Sequence, residues 1–288
     1  MKKTIDTLVE DIYKFLDPLT ENKKIKVTEK QIDEFGKSMA QAFKHWALPE
    51  PRSSEKLRMS NVGKPARQLW FDFNAEEKPE KLEPHLLIKF LYGHLLEEVL
   101  LFLVSLSGHK VENQQKLIEV SGVKGHMDCT IDGEVVDVKT ASGFAFKKFR
   151  DGTLHRDDPF GYIHQLTGYE QAQGTNNGGF LVLNKETGEI TLFKPSDFDK
   201  PNIVNSIDKI KTVIKKKKPP AFCYEAVPEG KSGNYKLPRE CTYCKHKVEC
   251  YKDVNDGQGL RLFKYADGIK YFTKVVKEPK VLEVTNEW

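Results

Sequence analysis

The chain has 288 residues, enough for one large domain or one domain with appendages. Apolar residues make up 39%, so a full-sized core can be buried, and the net charge of +4 spread over 31% charged residues excludes a histone-like polycation. That balance leaves room for basic contacts to phosphate beside an acidic pocket.

Residues up to about Leu48 read as helical. Thr28 followed by Ile32, Phe35, Met39, Ala42, Phe43 and Trp46 predicts a capped amphipathic helix. Between Pro49 and Pro84 the composition turns to Pro, Ser, Lys and Arg, which predicts loops with short helical pieces. The apolar run Leu86 to Leu106 carries Lys89, His94, Glu97 and Glu98 in its middle, so a buried helix is expected there, not a membrane span. It stops at Ser107-Gly108. Met1 to Glu10 has no apolar h-region of a signal peptide, and a cytoplasmic location is expected.

The period then changes. Lys110 to Val120, Val123 to Ile131 and Glu134 to Thr140 read as strands, the last two joined at Asp132-Gly133, a strong hairpin signal. A helix is expected from about Phe160 to Gln173, a hairpin from Gly179–Leu183 and Glu189–Phe193, a helix from Ser196 to Lys218, and a last hairpin over Leu260 to Val276, turning at Asp267-Gly268. The pattern is α/β, with a strand-rich centre between helices.

A two-residue turn at Asp132-Gly133 makes Ile131 the partner of Glu134, and counting outward places Asp128 opposite Asp137. Cross-strand Cβ atoms lie roughly 5 Å apart. Alternation puts Asp137 and Lys139 on one face and Val136 and Val138 on the other. Two opposed carboxylates repel unless a cation compensates both, and Mg²⁺ prefers such hard oxygen ligands while keeping waters, one of which can attack phosphorus. A solvated strand face with two acids and a lysine is the plainer alternative for this spacing alone.

Gly125-His126-Met127-Asp128, Val136-Asp137-Val138-Lys139-Thr140 and Gln165-Leu166-Thr167-Gly168-Tyr169 resemble the successive G-x-x-D, D/E-x-K and Q-x-x-x-Y motifs of the RecB-type branch of PD-(D/E)XK nucleases. Gly93-His94-Leu95-Leu96-Glu97 stands where that family carries an upstream helical acid. The resemblance implies a restriction-endonuclease-like core, a central mixed sheet flanked by helices. It implies that Glu97, Asp128, Asp137 and the Val138 carbonyl ligate Mg²⁺ or Mn²⁺, that Lys139 serves the attacking water, and that Gln165 and Tyr169, one helical turn apart, steady Lys139 and the DNA phosphate. Glu98 competes with Glu97, because H-x-x-x-E from His94 selects it. His126 and His164 are expected to be structural or to face DNA.

Four of the five cysteines crowd late. Cys241-Thr242-Tyr243-Cys244, five residues and Cys250 have the C-x2-C-x5-C spacing of the CRISPR-associated and AddB-like nucleases with an iron–sulfur cluster, and Cys223 is the natural fourth ligand. In a chain without an export signal they read as a metal site, not as disulfides. Zinc and [4Fe–4S] both remain open, with His246 a substitute ligand if zinc is bound. Cys129 reads as a small core residue. Upstream, Arg58 to Arg67 is similar to those nucleases' S-x-x-x-x-C-P-R segment, with Ser60 and Arg67 in place and Pro65 where the cysteine belongs. Arg58, Ser60, Lys64 and Arg67 are expected to contact DNA. Phe144 to Tyr162, with Phe149 and Phe160, is expected to form a wall of the DNA channel or a mobile surface loop.

The expected organisation is an N-terminal helical extension (1–50), a nuclease core (51–220) and a cysteine-clasped C-terminal part with a hairpin (221–288). The expected activity is exonucleolytic cleavage of single-stranded DNA or duplex ends, suited to recombination, repair or phage genome processing. A site-specific endonuclease and a non-catalytic DNA-binding scaffold are the rivals. No membrane partner is expected.

Overall fold

A computed structural model describes residues 3–48, 56–75 and 83–284. Of the predicted 49–84 segment, residues 49–55 and 76–82 therefore lie outside the described residues. Helices α1 (Leu8–Thr20), α2 (Glu29–Ala47), α3 (Ala66–Asn74) and α4 (Pro84–Leu106) come first. Strands β1 (Val111–Glu112), β2 (Lys116–Val120), β3 (Val123–Met127), β4 (Cys129–Ile131) and β5 (Glu134–Ala141) follow. Then come α5 (Gly143–Arg150), α6 (Tyr162–Gln173), β6 (Gly179–Asn184), β7 (Ile190–Phe193) and α7 (Ile203–Ile214). The chain ends with β8 (Val227–Glu229), β9 (Asn234–Lys236), three one-turn helices between Arg239 and Gly257, β10 (Arg261–Tyr265), β11 (Gly268–Lys274) and β12 (Glu283–Val284).

Contacts divide the chain into two units. The first holds residues up to 48, 57–63 and 83–208; the second holds 56, 64–75 and 209–284. The boundary falls within α7.

In the first unit a mixed sheet runs β1-β4-β5-β6-β7, antiparallel except for the parallel pair β5/β6. Alternation decides its two faces. Cys129, Ile131, Val136, Val138 and Leu181 point into a cluster with Leu8 and Ile12 of α1 and Leu100, Leu101 and Val104 of α4. On the opposite face Phe180 meets Phe149 of α5, with ring centroids 5.6 Å apart. Helices thus flank a mixed sheet, the α/β architecture expected. Thr28 caps α2 through a capping box with Gln31, and Phe35 stacks on Phe102 of α4 at 4.5 Å. Among the described residues no helix is long and apolar enough to cross a membrane.

The hairpin β4/β5 has the predicted register, Ile131 opposite Glu134, with Asp132 and Gly133 both at positive φ. The strand Val123–Ile131, however, is two strands. The ladder with β5 ends at Cys129↔Val136, while Met127 pairs with Lys116 in a separate two-stranded sheet β2/β3. Asp128 stands at the switch. Its Oδ2 accepts the Val138 N–H at 2.8 Å, a proton that a continued antiparallel ladder would have given to the Met127 carbonyl.

The predicted helix Ser196–Lys218 shortens to α7. Ser196 and Asp199 close a turn instead, Pro201 offers no N–H, and the Asn202 side chain accepts from Asn205 N at 3.0 Å as a new cap. In the second unit the last hairpin turns at Ala266-Asp267, one residue earlier than expected, since Tyr265 pairs with Gly268. Its sheet runs β12-β10-β11-β9-β8.

Candidate active site

The site lies on β5 and the elements that touch it. Asp137 is fully buried and its Oδ2 forms an ion pair with the Lys139 ammonium, while its Oδ1 accepts no hydrogen bond from the described residues. Burial alone would lower the Lys139 pKa, but Asp137 and Asp128 outweigh it and hold the amine firmly cationic. Burial, together with the Asp137 charge, pushes Asp128 up to about 7. Glu97 rises to about 8, first through burial, then through Asp128, Glu98 and Asp137. These influences place Glu97 of α4, Asp128 and Asp137 within one electrostatic cluster with Lys139.

Gln165 Nε2 donates to the Tyr169 hydroxyl at 2.9 Å, and that hydroxyl donates to the His126 carbonyl at 2.8 Å. Both side chains are buried, with Tyr169 1% exposed. Their reach is therefore to the backbone two residues before Asp128, so they hold that strand and present no face to a phosphate. The glycine of G-x-x-D follows from the same packing. A Cβ on Gly125 would fall 2.7 Å from Met59 Cβ and 3.1 Å from the Tyr169 ring. The His126 side chain is exposed, and burial lowers the His164 pKa.

Three contributors escaped the sequence reading. The Tyr162 ring lies 5.1 Å from Lys139 Nζ, a cation–π contact. Gln115 Nε2 donates to Glu97 Oε1 at 3.2 Å. Asp158 accepts from Tyr162 N at 3.0 Å and Ile163 N at 2.9 Å, capping α6. Only Tyr162 left a signal, since it stands three residues before Gln165 on the same helical face. The segment Phe144–Tyr162 is largely ordered structure, α5 and a 3₁₀ turn at Leu154–Arg156, not a continuous loop. Phe149 is 4% exposed and belongs to the core, so it cannot line a channel, whereas Phe144 and Phe160 are exposed.

In the second unit Cys223, Cys241, Cys244 and Cys250 are free thiols lining one cavity of about 30 Å³. Burial raises the pKa of Cys241 to about 12 and raises those of Cys244 and Cys250. Arg67 lies here too. Its Nε donates to Cys250 Sγ at 3.0 Å, its Nη2 to the Cys250 carbonyl at 3.2 Å, and its guanidinium stacks 4.3 Å from the Phe222 ring. His246 Nε2 is engaged by Asp72 at 2.8 Å. Lys64 is half-buried in this unit. In the first unit Ser60 is exposed on a 3₁₀ turn, and the Arg58 backbone forms an isolated parallel β-bridge with Lys124. Cys129 is fully buried in the sheet core, as expected.

Among the described residues, no group of three or more His, Cys, Asp or Glu side chains closes into an arrangement that would hold a metal ion. The carboxylates are engaged singly, Asp137 by Lys139, Asp128 by Val138 N and Glu97 by Gln115. Their chemistry still fits a hard divalent cation, because Asp137 offers a buried oxygen, Oδ1, that accepts no hydrogen bond from the described residues.

No family profile matches the sequence, and no curated protein matches it. Similar solved structures include the protein SSO0001, 19% identical, with a TM-score of 0.38 over 78% of this chain and 98% of that one. An alkaline exonuclease from Laribacter hongkongensis is 14% identical, with a TM-score of 0.33 over 56% of this chain and 90% of its own. A phage-related exonuclease from Haemophilus somnus is 14% identical, with a TM-score of 0.30 over 55% and 90%.

The raised carboxyl groups have a thermodynamic signature. Folded-state pKa values above the unfolded ones mean that the native state binds more protons, so their contribution falls as pH rises from about 4 through about 8. Asn at 128 keeps an acceptor for Val138 N–H without the charge. In chelator, Asp128→Asn should melt higher than the parent, by a margin that grows from pH 5 to pH 8.5. A margin that shrinks over that range would contradict the carboxylate cluster.

Proposed function

We propose that this protein is a Mg²⁺- or Mn²⁺-dependent DNA nuclease of the PD-(D/E)XK kind, an exonuclease acting on single strands or duplex ends. The observation that carries this reading is the buried Asp137 carboxylate beside the cationic Lys139, with Asp128 and Glu97 in the same electrostatic cluster. Three carboxylates crowded around one ammonium are costly to fold and are useful if a cation and an anionic substrate meet there.

Glu97, Asp128, Asp137 and the Val138 carbonyl would hold the ion, which supplies a Lewis acid and an activated water. Lys139 is too firmly protonated to be a base. Its role is to donate to the attacking water and to the charge that builds on the phosphate as the P–O bond breaks. Tyr162 and Asp137 fix the ammonium from two sides. Gln165 and Tyr169 act through the His126 backbone, setting where Asp128 stands.

End-labelled single-stranded and duplex DNA with Mg²⁺ or Mn²⁺ tests this directly. Asp137→Asn or Lys139→Gln should each lower cleavage by at least about a hundredfold, since each removes several kcal/mol of transition-state stabilisation. Glu97→Gln should cost far more than Glu98→Gln. Parent-like rates in the Asp137 and Lys139 variants would refute the assignment, and a ladder of internal cuts would replace exonuclease by endonuclease.

For the second unit we propose a structural metal centre at Cys223, Cys241, Cys244 and Cys250. The four thiols line one cavity, and with Pro65 standing where the iron–sulfur nucleases carry their upstream cysteine the set is self-contained, which favours a single zinc ion. The guanidinium of Arg67 against Cys250 Sγ favours the thiolate form that a metal requires. Anaerobically purified protein should carry about one zinc per chain. Changing any one of the four to Ser should release it and lower the melting temperature to a similar degree, while Cys129→Ser keeps it. A brown protein absorbing near ~400 nm with iron and sulfide would mean a cluster instead, and no metal at all would refute the centre.

A further inference from the structure

Phe160 is a large apolar ring, 57% exposed, on a segment built to hold it still. The Asp158 carboxylate takes two amides at the start of α6. Gly161, at φ +72, is pressed against Gly63 so closely that a Cβ on Gly63 would fall 2.4 Å from Gly161 Cα. Lys148 of α5 donates to the Asp157 carbonyl at 3.2 Å and also pairs with its carboxylate, tying this basic helix to the same segment. A rigid backbone that leaves an aromatic ring in solvent forgoes the burial that such a ring ordinarily gains.

The ring's inner neighbour shows what it serves. Phe160 stacks on Tyr162, with centroids 5.3 Å apart and planes at 23°. Tyr162 in turn covers the Lys139 ammonium at 5.1 Å. An aromatic ladder therefore leads from the amine at the reacting centre out to solvent in two steps. A phosphate at Lys139 would carry its attached nucleoside within reach of the outer ring.

We propose that Phe160 is a stacking platform for one unpaired nucleobase flanking the phosphate held at Lys139, so that single-stranded DNA is the form of substrate this site engages. The proposal rests on the nuclease reading for what Lys139 does, but the stacking is separable from cleavage. In a duplex both faces of a base are covered by its neighbours; an unpaired base has a free π-face, and every base has one, so the platform is tolerant of sequence. Phe160 would then be a substrate-positioning residue that makes no contact with the reacting atoms.

The test is binding of single-stranded oligonucleotides in Ca²⁺ or chelator, with the fluorescent base 2-aminopurine walked along the strand. One position should be quenched by the parent protein. Phe160→Ala should lose that quench and bind about five- to a hundredfold more weakly, the range base–aromatic stacking supplies. Phe160→Trp should restore both, and Phe198→Ala, an exposed aromatic elsewhere in the same unit, should behave as the parent. An abasic residue at the quenched position should weaken the parent but add little to Phe160→Ala, as expected of coupled partners. Cleavage with unchanged oligonucleotide affinity and quench in Phe160→Ala would overturn the platform and leave the nuclease standing. A quench dependent on Phe160 without any cleavage would support the platform and overturn the nuclease. A parent protein that binds no single-stranded oligonucleotide would overturn the platform.

Discussion

The fold is organised around one unfavourable act, the burial of the Asp137 carboxylate in the middle of a central strand. An isolated buried charge is far costlier than any single hydrogen bond restores. Lys139, two residues on and therefore on the same face, supplies the only cation in contact with it among the described residues. The neighbouring acids make matters worse: Asp128 and Glu97 hold their protons well above the ordinary carboxylate range. Such a cluster persists only because the rest of the unit fixes it. The parallel pair β5/β6 sets Asp137 opposite Phe180, and α4 brings Glu97 while packing Leu100, Leu101 and Val104 on the other face of the sheet.

The clamp of α6 is the least obvious part of that fixing. Tyr169 reaches across to the His126 carbonyl, Gln165 orients its hydroxyl, and Gly125 and Met59 fill the space around the ring. Loss of the tyrosine hydroxyl would leave a nearly buried glutamine without its partner, at about 1–3 kcal/mol. The clamp acts on the strand just before Asp128, where regular pairing stops. It does there what a ladder would otherwise do.

Local chemistry was legible where a short rule decides the outcome. The Asp132-Gly133 turn fixed the register of β4/β5, and alternation alone put Val136 and Val138 in the core with Asp137 and Lys139 opposite. The break at Asp128 was not legible, because it depends on a side chain outcompeting a carbonyl for the Val138 N–H. The helix after Ser196 was overextended because its apolar period runs on through a turn that Ser196, Asp199 and Asn202 impose. Arg67 shows a different kind of gap. Its charge suited a phosphate equally well, and only the approach of Cys250, 183 residues away, assigns the guanidinium to a thiol.

The ends of elements carry the chemistry, and the reason is electrostatic. The N-terminus of α6 would ordinarily be a ready site for a phosphate, with free amides and the positive end of a helix dipole. Here the Asp158 carboxylate has taken the amides of Tyr162 and Ile163, so that end is already satisfied. At the inner end of the aromatic pair, attraction for an anion comes instead from Lys139, whose charge is locked by Asp137. Under the proposed nuclease reading, a cap that silences one anion site while aiming Tyr162 at the neighbouring amine would confine a phosphate to a single position. That position lies beside the carboxylates, where a bound cation would have to act.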